Sequence, residues 1–483
     1  MIGESKKFYI TTTLPYINAN PHIGFALEVV QADVVARWRR QEGDEVFFNT
    51  GTDEHGLKVF QRAQEENINI QEFCDERAQK FADLKKALNL SYNSFIRTTN
   101  PRHIEAAQEF WKLCQKNGDI YKKRYRIKYC VGCELEKTDS ELRQGRCPLH
   151  PNRELEIGEE ENYFFRYSRY QKQLLELYRK QPDFVLPRAR LNEIVSFTEK
   201  ELKDFSISRL KEKLPWGIPV PGDEEQVMYV WFDALINYIS CLGWPDDSRK
   251  FKEFWPGMQI AGKDNLRQQA SMWQAMLMSA GLPPSRQILI HGFITSGGVK
   301  MSKSLGNVVD PFELTESYGA DAVRYYLLRE FSPFEDGDFT IEKFKERYNS
   351  DLANGIGNLA ARALTLAAKS GIKEVKKSRK IKDRALINCA GEAKKKRREA
   401  LSGFKFNEAL AAVWELIAFC DKHIEEKRPW ENKESSKDAI ADILLGLLEI
   451  ADMLYPFLPR ASERILEQIE KGEAGKPLFP RIE

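Results

Sequence analysis

The stretch from Lys7 to Thr50 constrains this chain most, because a strand period gives way to a helix period and then returns. Lys7–Thr13 (KFYITTT) is a short β-branched and aromatic run and reads as a strand. Asn20-Pro21 then offers an N-cap and the residue best tolerated at the first helical position. Phe25, Val29, Ala32 and Ala36 recur on one face of a helix reaching about Gln41. Gly43 is placed to end that helix in a left-handed turn before a second strand, Glu45–Thr50. The result is a strand-helix-strand unit. A helix N-terminus carries free N–H groups and a partial positive charge, so His22 and Gly24 stand where a phosphate binds. A lone His-Ile-Gly is weak on its own, since a histidine there is as often just a cap.

A second signal comes late in the chain. Lys300-Met301-Ser302-Lys303-Ser304 carries two ammonium groups between Gly297-Gly298, which allow a tight hairpin turn, and Gly306-Asn307, another break. Such a segment can close over polyphosphate, although a Lys/Ser pentamer taken alone is usually a solvated loop.

His-Ile-Gly early and Lys-Met-Ser-Lys-Ser late resemble the signature pair of the class I aminoacyl-tRNA synthetases. Leu14-Pro15-Tyr16, Gly51-Thr52-Asp53-Glu54-His55-Gly56, Tyr229-Val230-Trp231-Phe232-Asp233-Ala234 and Gly262-Lys263-Asp264 resemble motifs of the methionyl branch of that family. They occur in its order, from about Phe8 to about Trp430. The resemblance implies a Rossmann-like catalytic domain with a doubly wound parallel sheet and a zinc-knuckle insertion. An all-α helical-bundle anticodon-binding domain then follows.

Bulk properties agree without pointing there. At 483 residues the chain can hold roughly two to four domains. Lys+Arg 74 against Asp+Glu 72 leaves a net charge of +2, so any nucleic-acid surface must be local. There is no apolar run of membrane-spanning length and no signal-peptide core after Met1–Lys7, so a soluble, cytoplasmic protein without a membrane partner is expected. Of eight cysteines, Cys74, Cys114, Cys241, Cys389 and Cys420 are scattered and suit buried reduced thiols. The other three differ. Cys130-Val-Gly-Cys133 and Cys147-Pro-Leu-His150 form C-x2-C and C-x2-H halves spaced for one tetrahedral metal. Three thiolates and an imidazole suit Zn²⁺ rather than Mg²⁺ or Ca²⁺; the alternatives are coincidence or a disulfide. Four protein ligands leave no open position, so this zinc is expected to be structural.

The layout reads as follows. Residues 1–115 form the first half of the catalytic domain, with helices around Ile70–Ala87 and Pro101–Lys116. Residues 116–225 are a connective insertion with the zinc knuckle and the proline-marked Leu214–Gly222. The second half, 226–292, starts at Val227–Trp231 and contains strands Gln259–Gly262 and Gln287–His291 around a helix Leu266–Ala280. Residues 293–343 hold the Lys-Met-Ser-Lys-Ser loop and a stem-contact region, and 344–483 the helical anticodon-binding domain. Ligands bind such sheets at the carboxyl ends of the strands, which Asp53, His22, Gly262, Asp264 and His291 all follow. The basic clusters Lys376–Arg384 and Lys394–Arg398 are more often solvated helix faces than tRNA contacts.

Trp231, Ala234, Leu235 and Tyr238 fall at i, i+3, i+4 and i+7, so one helix face presents two aromatics around two smaller groups. Such a stripe is more often ordinary core. The resemblance assigns it to a methionine pocket completed by Leu14, Tyr16, Gln269 and Trp273, whose aromatic walls hold a polarisable thioether well. Asp53 would meet the substrate ammonium, or else cap a strand-end turn. Phe25 stands where the family often has a second histidine, and Asn265 and Gln269 where these pockets commonly carry Ile and His.

The implied reaction activates L-methionine with ATP to methionyl-adenylate and pyrophosphate, then charges the 3′-terminal adenosine of tRNA(Met). His22, Lys300 and Lys303 would be catalytic, with Gly24, Asp264 and Ser302 also at the ATP, which brings Mg²⁺. The insertion leaves little room for an editing domain, and a monomer is expected. Asn354, Asn358 and Arg362 at i, i+4 and i+8, with Trp430 after Pro429, resemble anticodon-binding residues. The Asn pair equally suits a solvated face or a kink near Gly355 and Gly357. Two other readings stay open: a class I synthetase for cysteine or leucine, and a catalytically inactive tRNA-binding relative. Intact His22, Asp53, Lys300 and Lys303 argue against the latter.

Overall fold

The computed structural model describes residues 6–132, 135–137, 142–148, 150–301, 307–372, 379–431, 433–473 and 475–483. The chain packs as two compact units: residues 1–21, 43–83 and 92–290 form the first, and residues 22–42, 84–91 and 291–483 the second.

Unit 1 is built on a six-stranded sheet. Strands β1 (Lys7–Thr12), β2 (Glu45–Thr52) and β3 (Ser94–Arg97) occupy one side in the order β3-β2-β1, followed by Met258–Gly262, Gln287–His291 and Val185–Leu186. β1 lies parallel to both neighbours, with Tyr9 opposite Phe47 and Ile10 opposite Met258. Five of its six residues are buried, as expected of a strand covered on both faces. Both expected strand-helix-strand segments are present. The short β3 and the edge strand Val185–Leu186, which comes from within the insertion, carry too few residues for a period to register.

Four expectations need correction. The first helix, α1 (Ile23–Gln41), is capped by His22 rather than Asn20. The Asn20 Oδ1 accepts from Arg77 Nη1 at 2.8 Å, so the cap falls to His22, whose Nδ1 accepts from the Gly24 amide at 3.0 Å. Gly43 does turn left-handed, at φ +92°. Val227 sits in strand Asp223–Met228, which pairs antiparallel with Ser208–Leu210 and Pro219–Val220 in a separate three-stranded sheet. The 231–238 stripe spans two short helices, Val230–Ala234 and Asn237–Ser240. Asn237 Nδ2 donates to the Ala234 carbonyl at 2.6 Å, taking the acceptor a continuous helix would use. The helix expected over 266–280 opens with a wide π turn, Gln268–Met272, before regular helix Trp273–Ser279.

The insertion carries a four-stranded sheet ordered Leu135–Glu136, Ile120–Cys130, Glu156–Phe165, Phe205–Ser206. Its long ladder sets Arg124 opposite Glu161 and Arg126 opposite Glu159, a pairing of opposite charges that fixes register.

Unit 2 joins α1 to the helices Pro311–Tyr318, Ala320–Arg329, Ile341–Arg347, Asn358–Lys369, Arg384–Ser402, Phe406–Lys427, Lys433–Leu454 and Pro459–Lys471. A three-stranded sheet orders Val299–Lys300, Ile294–Ser296 and Gly337–Phe339. Its core holds a fully buried cation, Arg324, bonded to Asp33 Oδ2 at 2.8 Å and to the Phe457 and Pro456 carbonyls at 2.7 and 2.9 Å. Burial works against the Asp33 charge, but Arg324 and Arg37 overcome it and hold the carboxyl below its usual range.

Candidate active site

In unit 1 the segment after β1 runs beside the residues that follow β2. The Asp53 amide donates to Pro15 O at 3.0 Å and the Ile17 amide to Asp53 O at 3.4 Å, so Tyr16 lies opposite Asp53. The Asp53 side chain is 2% exposed. The Tyr16 ring meets Trp231 edge-on at 6.2 Å, and Tyr238 meets Trp273 edge-on at 5.9 Å. Ala234, Leu235, Tyr238, Gln269 and Trp273 are buried; Leu14, Tyr16 and Trp231 are partly exposed. Gln269 Oε1 accepts from Gln259 Nε2 at 3.2 Å, so the amide at this position has a partner inside the chain. A carboxylate beside aromatic edges can hold an ammonium together with an apolar, polarisable side chain. Asp264 lies at the surface, and Asn265 Nδ2 donates to it at 3.4 Å.

Sequence reasoning passed over a buried polar framework around these residues. Glu54 Oε1 accepts from Thr52 Oγ1 at 2.7 Å and Arg97 Nε at 2.6 Å, while Oε2 accepts from Arg97 Nη2 at 2.9 Å and Thr99 Oγ1 at 2.5 Å. The Asp233 Oδ2 stands 2.6 Å from His55 Nδ1, and Oδ1 2.8 Å from His103 Nε2. Burial pushes the Asp233 carboxyl up, yet the two rings overcome this and hold it below its usual range. Residues 55, 103 and 233 share no local pattern; the one available signal was Glu54-His55 inside the Gly-Thr-Asp-Glu-His-Gly run.

The phosphate candidates lie in unit 2. His22 caps α1, and a Cβ at Gly24 would come within 2.8 Å of His22 Cε1, so glycine leaves room for the capping ring. The amides expected to be free are engaged, Ile23 N donating to the Val309 carbonyl at 3.0 Å and Gly24 N to His22 Nδ1 at 3.0 Å. The expected hairpin is present, with Gly297 and Gly298 at φ +65° and +74°. Asp338 Oδ1 pins its turn, accepting from the Gly298 amide at 2.8 Å and Thr295 Oγ1 at 2.7 Å. Ser302, Lys303 and the Lys300 side chain lie outside the described residues.

Cys130, Cys147 and His150 bring their ligand atoms within 4.8 Å of one another. His150 Nδ1 is 3.8 Å from Cys130 Sγ and 4.0 Å from Cys147 Sγ. Ligands around a tetrahedral Zn²⁺ stand about 3.6 Å apart, so this donor set fits one such ion. A Cβ on Gly132 would come within 2.4 Å of His150 Cγ, which explains a glycine in the turn. Cys133 lies outside the described residues.

In the helical region the expected single helix through Asn354, Asn358 and Arg362 is corrected. Tyr348–Gly357 form wide π turns and regular helix begins at Asn358. Asn354 Oδ1 accepts from Arg481 Nε and Nη2 at 2.9 and 2.7 Å. Arg362 bonds Asp421 at 2.9 Å and Glu425 at 2.5 Å, whereas Asn358 is exposed. Trp430 is 52% exposed, just past a helix that ends at Lys427 with Arg428 left-handed.

Among the described residues no helix is long and apolar enough to cross a membrane. The family described as tRNA synthetases class I (M) matches residues 8–156 and 150–364, and the anticodon-binding domain of tRNA ligases matches residues 383–478. The chain is 44% identical to the methionine–tRNA ligase of Thermosynechococcus vestitus, over 96% of this chain and 90% of that one. It is 43% identical to that of Mesorhizobium japonicum, over 96% and 91%. The solved structure of Mycobacterium tuberculosis methionyl-tRNA synthetase in complex with methionyl-adenylate superposes with a TM-score of 0.90 at 37% identity, covering 99% of this chain and 97% of that one. Two family matches in sequence order, and relatives alike over nearly their whole lengths, lead to one assignment: the chain belongs to the methionyl branch of the class I aminoacyl-tRNA synthetases.

Proposed function

We propose that this enzyme activates L-methionine with ATP and transfers the methionyl group to the 3′-terminal adenosine of a tRNA with a CAU anticodon. One observation carries the amino-acid half. A buried carboxylate, Asp53, lies on a segment zipped to Tyr16, whose ring meets Trp231 edge-on. That arrangement suits a zwitterion with a long thioether side chain, its ammonium on Asp53 and its sulfur among ring edges.

The methionine carboxylate attacks the α-phosphorus of ATP, the bond to the bridging oxygen breaks, and pyrophosphate leaves. A ribose hydroxyl of the tRNA then displaces AMP from the methionyl carbonyl. Neither step needs a covalent enzyme intermediate, so the protein contributes positioning and charge stabilisation. In this reading His22 and Gly24 meet phosphate oxygens, the imidazole giving up its cap on the Gly24 amide, and Lys300 and Lys303 meet the charge that builds on the β- and γ-phosphates. Ser302 and Asp264 complete the nucleotide contacts, and ATP arrives with Mg²⁺. Cys130, Cys133, Cys147 and His150 would hold one structural zinc, which would pin the end of the insertion. Asn354, Asn358, Arg362 and Trp430 read the anticodon, the exposed indole serving as a stacking platform. The enzyme works as a cytoplasmic monomer.

Aminoacylation of tRNA transcripts tests the reading. A transcript with CAU should be charged with methionine at least about 10-fold more efficiently than one with an altered anticodon. Equal charging of both would contradict it.

A further inference from the structure

We propose that Asp233 is a positioning residue for the amino-acid pocket: through His55 it holds the segment bearing Asp53 against the segment bearing Trp231, Ala234 and Tyr238. The inference rests on the methionine reading above.

Three stretches of chain carry most of the pocket residues. Residues 14–17 and 52–56 are joined by the Pro15, Asp53 and Ile17 backbone bonds. Residues 52–56 and 230–240 are joined side chain to side chain by His55 and Asp233 at 2.6 Å. On its other side the His55 ring packs against Trp216 at 5.5 Å, and the Trp216 indole donates to Glu54 O at 2.7 Å. The second Asp233 oxygen is taken by His103, on the helix Pro101–Lys116, and His103 Nδ1 stands 2.9 Å from Ser240 Oγ. One consistent proton assignment has His55 Nδ1–H and His103 Nε2–H donating to the carboxylate while the Ser240 hydroxyl donates to His103 Nδ1. With both oxygens engaged and no exposure, the carboxylate cannot turn without breaking a bond.

Asparagine at 233 keeps the shape but exchanges one acceptor for a donor, so it cannot accept from both rings. Both bridges survive only if one imidazole moves its proton to the other ring nitrogen, and the neutral amide binds either ring less strongly than the carboxylate did, so the Asp53 segment loosens against the aromatic wall. The loss falls on methionine, because His22 and Gly24, assigned to the polyphosphate, belong to unit 2, whereas the segments joined through Asp233 belong to unit 1.

The test is ATP–pyrophosphate exchange by the full chain, with the active fraction fixed by adenylate burst titration. Asp233→Asn should raise the KM for methionine by about 10-fold or more while the KM for ATP and the kcat per active site stay within about threefold. His55→Leu should shift the methionine KM in the same direction, and His55→Asn less, because its amide can still reach Asp233. The Asp233→Asn/His55→Leu pair should be no worse than the larger single effect, as expected for two ends of one bond. A methionine KM unchanged in all variants, with only the active fraction lowered, would assign Asp233 a merely structural role and overturn the proposal. Additive effects in the double variant would overturn it too. If Asp233→Asn does not fold, the His55→Leu and His55→Asn pair decides by the same KM criterion. Failure of the unaltered enzyme to exchange with methionine would instead overturn the parent reading.

Discussion

The proposed amino-acid pocket and the proposed anticodon face are held together in opposite ways. In the proposed pocket, Asp233 and Glu54 are buried carboxylates whose oxygens are all engaged, and Asp53 and Trp231 lie on the segments that this framework joins. On the helical face, Arg362 is tied to Asp421 and Glu425, Asn354 to Arg481, and Trp430 stands half in solvent. Removing one partner from a buried charged pair costs about 3–5 kcal/mol, whereas a surface ion pair is worth roughly 0–1 kcal/mol. On the proposed assignments, a small zwitterion is met by a site made rigid in advance. An RNA loop would be met by side chains that give up weak intramolecular bonds at little cost.

Variants in the two regions should separate these two modes of recognition. Lys303→Ala should have the largest effect, lowering the rate of adenylate formation by about 10²-fold or more with methionine affinity little changed, since its charge acts as the transition state forms. Normal exchange kinetics in that variant would remove Lys303 from the mechanism. Next comes Trp430→Ala, expected to weaken aminoacylation by about 10-fold, the worth of one lost base stack, while exchange stays intact. A parallel loss in exchange would show that the two regions are not separable. Elemental analysis should find one zinc per chain, and Cys130→Ser should remove it and expose the insertion to protease before the parallel-sheet core, with exchange changed only a few-fold. Protein prepared without chelator and free of zinc would rule that site out. The smallest effect belongs to Asp421→Asn: freeing Arg362 from one surface partner should change aminoacylation by no more than about threefold. A tenfold change would mean that this ion pair organises the face.

The sequence carried the elements with long or well-punctuated patterns. Lys7–Thr12, Ile23–Gln41 and Glu45–Thr52 were legible because two periods and a glycine at 43 mark them, and the helix Pro101–Lys116 was legible with the same bounds. What escaped was short or non-local. Ser94–Arg97 and Val185–Leu186 are strands only because a neighbouring strand offers a free edge. The cap moved to His22 because Arg77, far along the chain, claims Asn20. The break at Leu235-Ile236 depends on one amide, Asn237, turning back on Ala234. Of the site, the aromatic stripe and Asp53 were legible as a resemblance, and the structure brings Tyr16, Asp53 and Trp231 together. The His55–Asp233–His103 framework was not, since hydrogen bonds between distant residues leave no period behind.

The most direct test is amino-acid-dependent ATP–pyrophosphate exchange by the unaltered enzyme across a panel that includes methionine, leucine, isoleucine and cysteine. A rigid aromatic wall with Gln269 and Asn265 as mere repacking predicts methionine ahead of leucine and isoleucine by more than the roughly 10–200-fold that a single methylene supplies. Exchange with leucine or cysteine equal to that with methionine would contradict it.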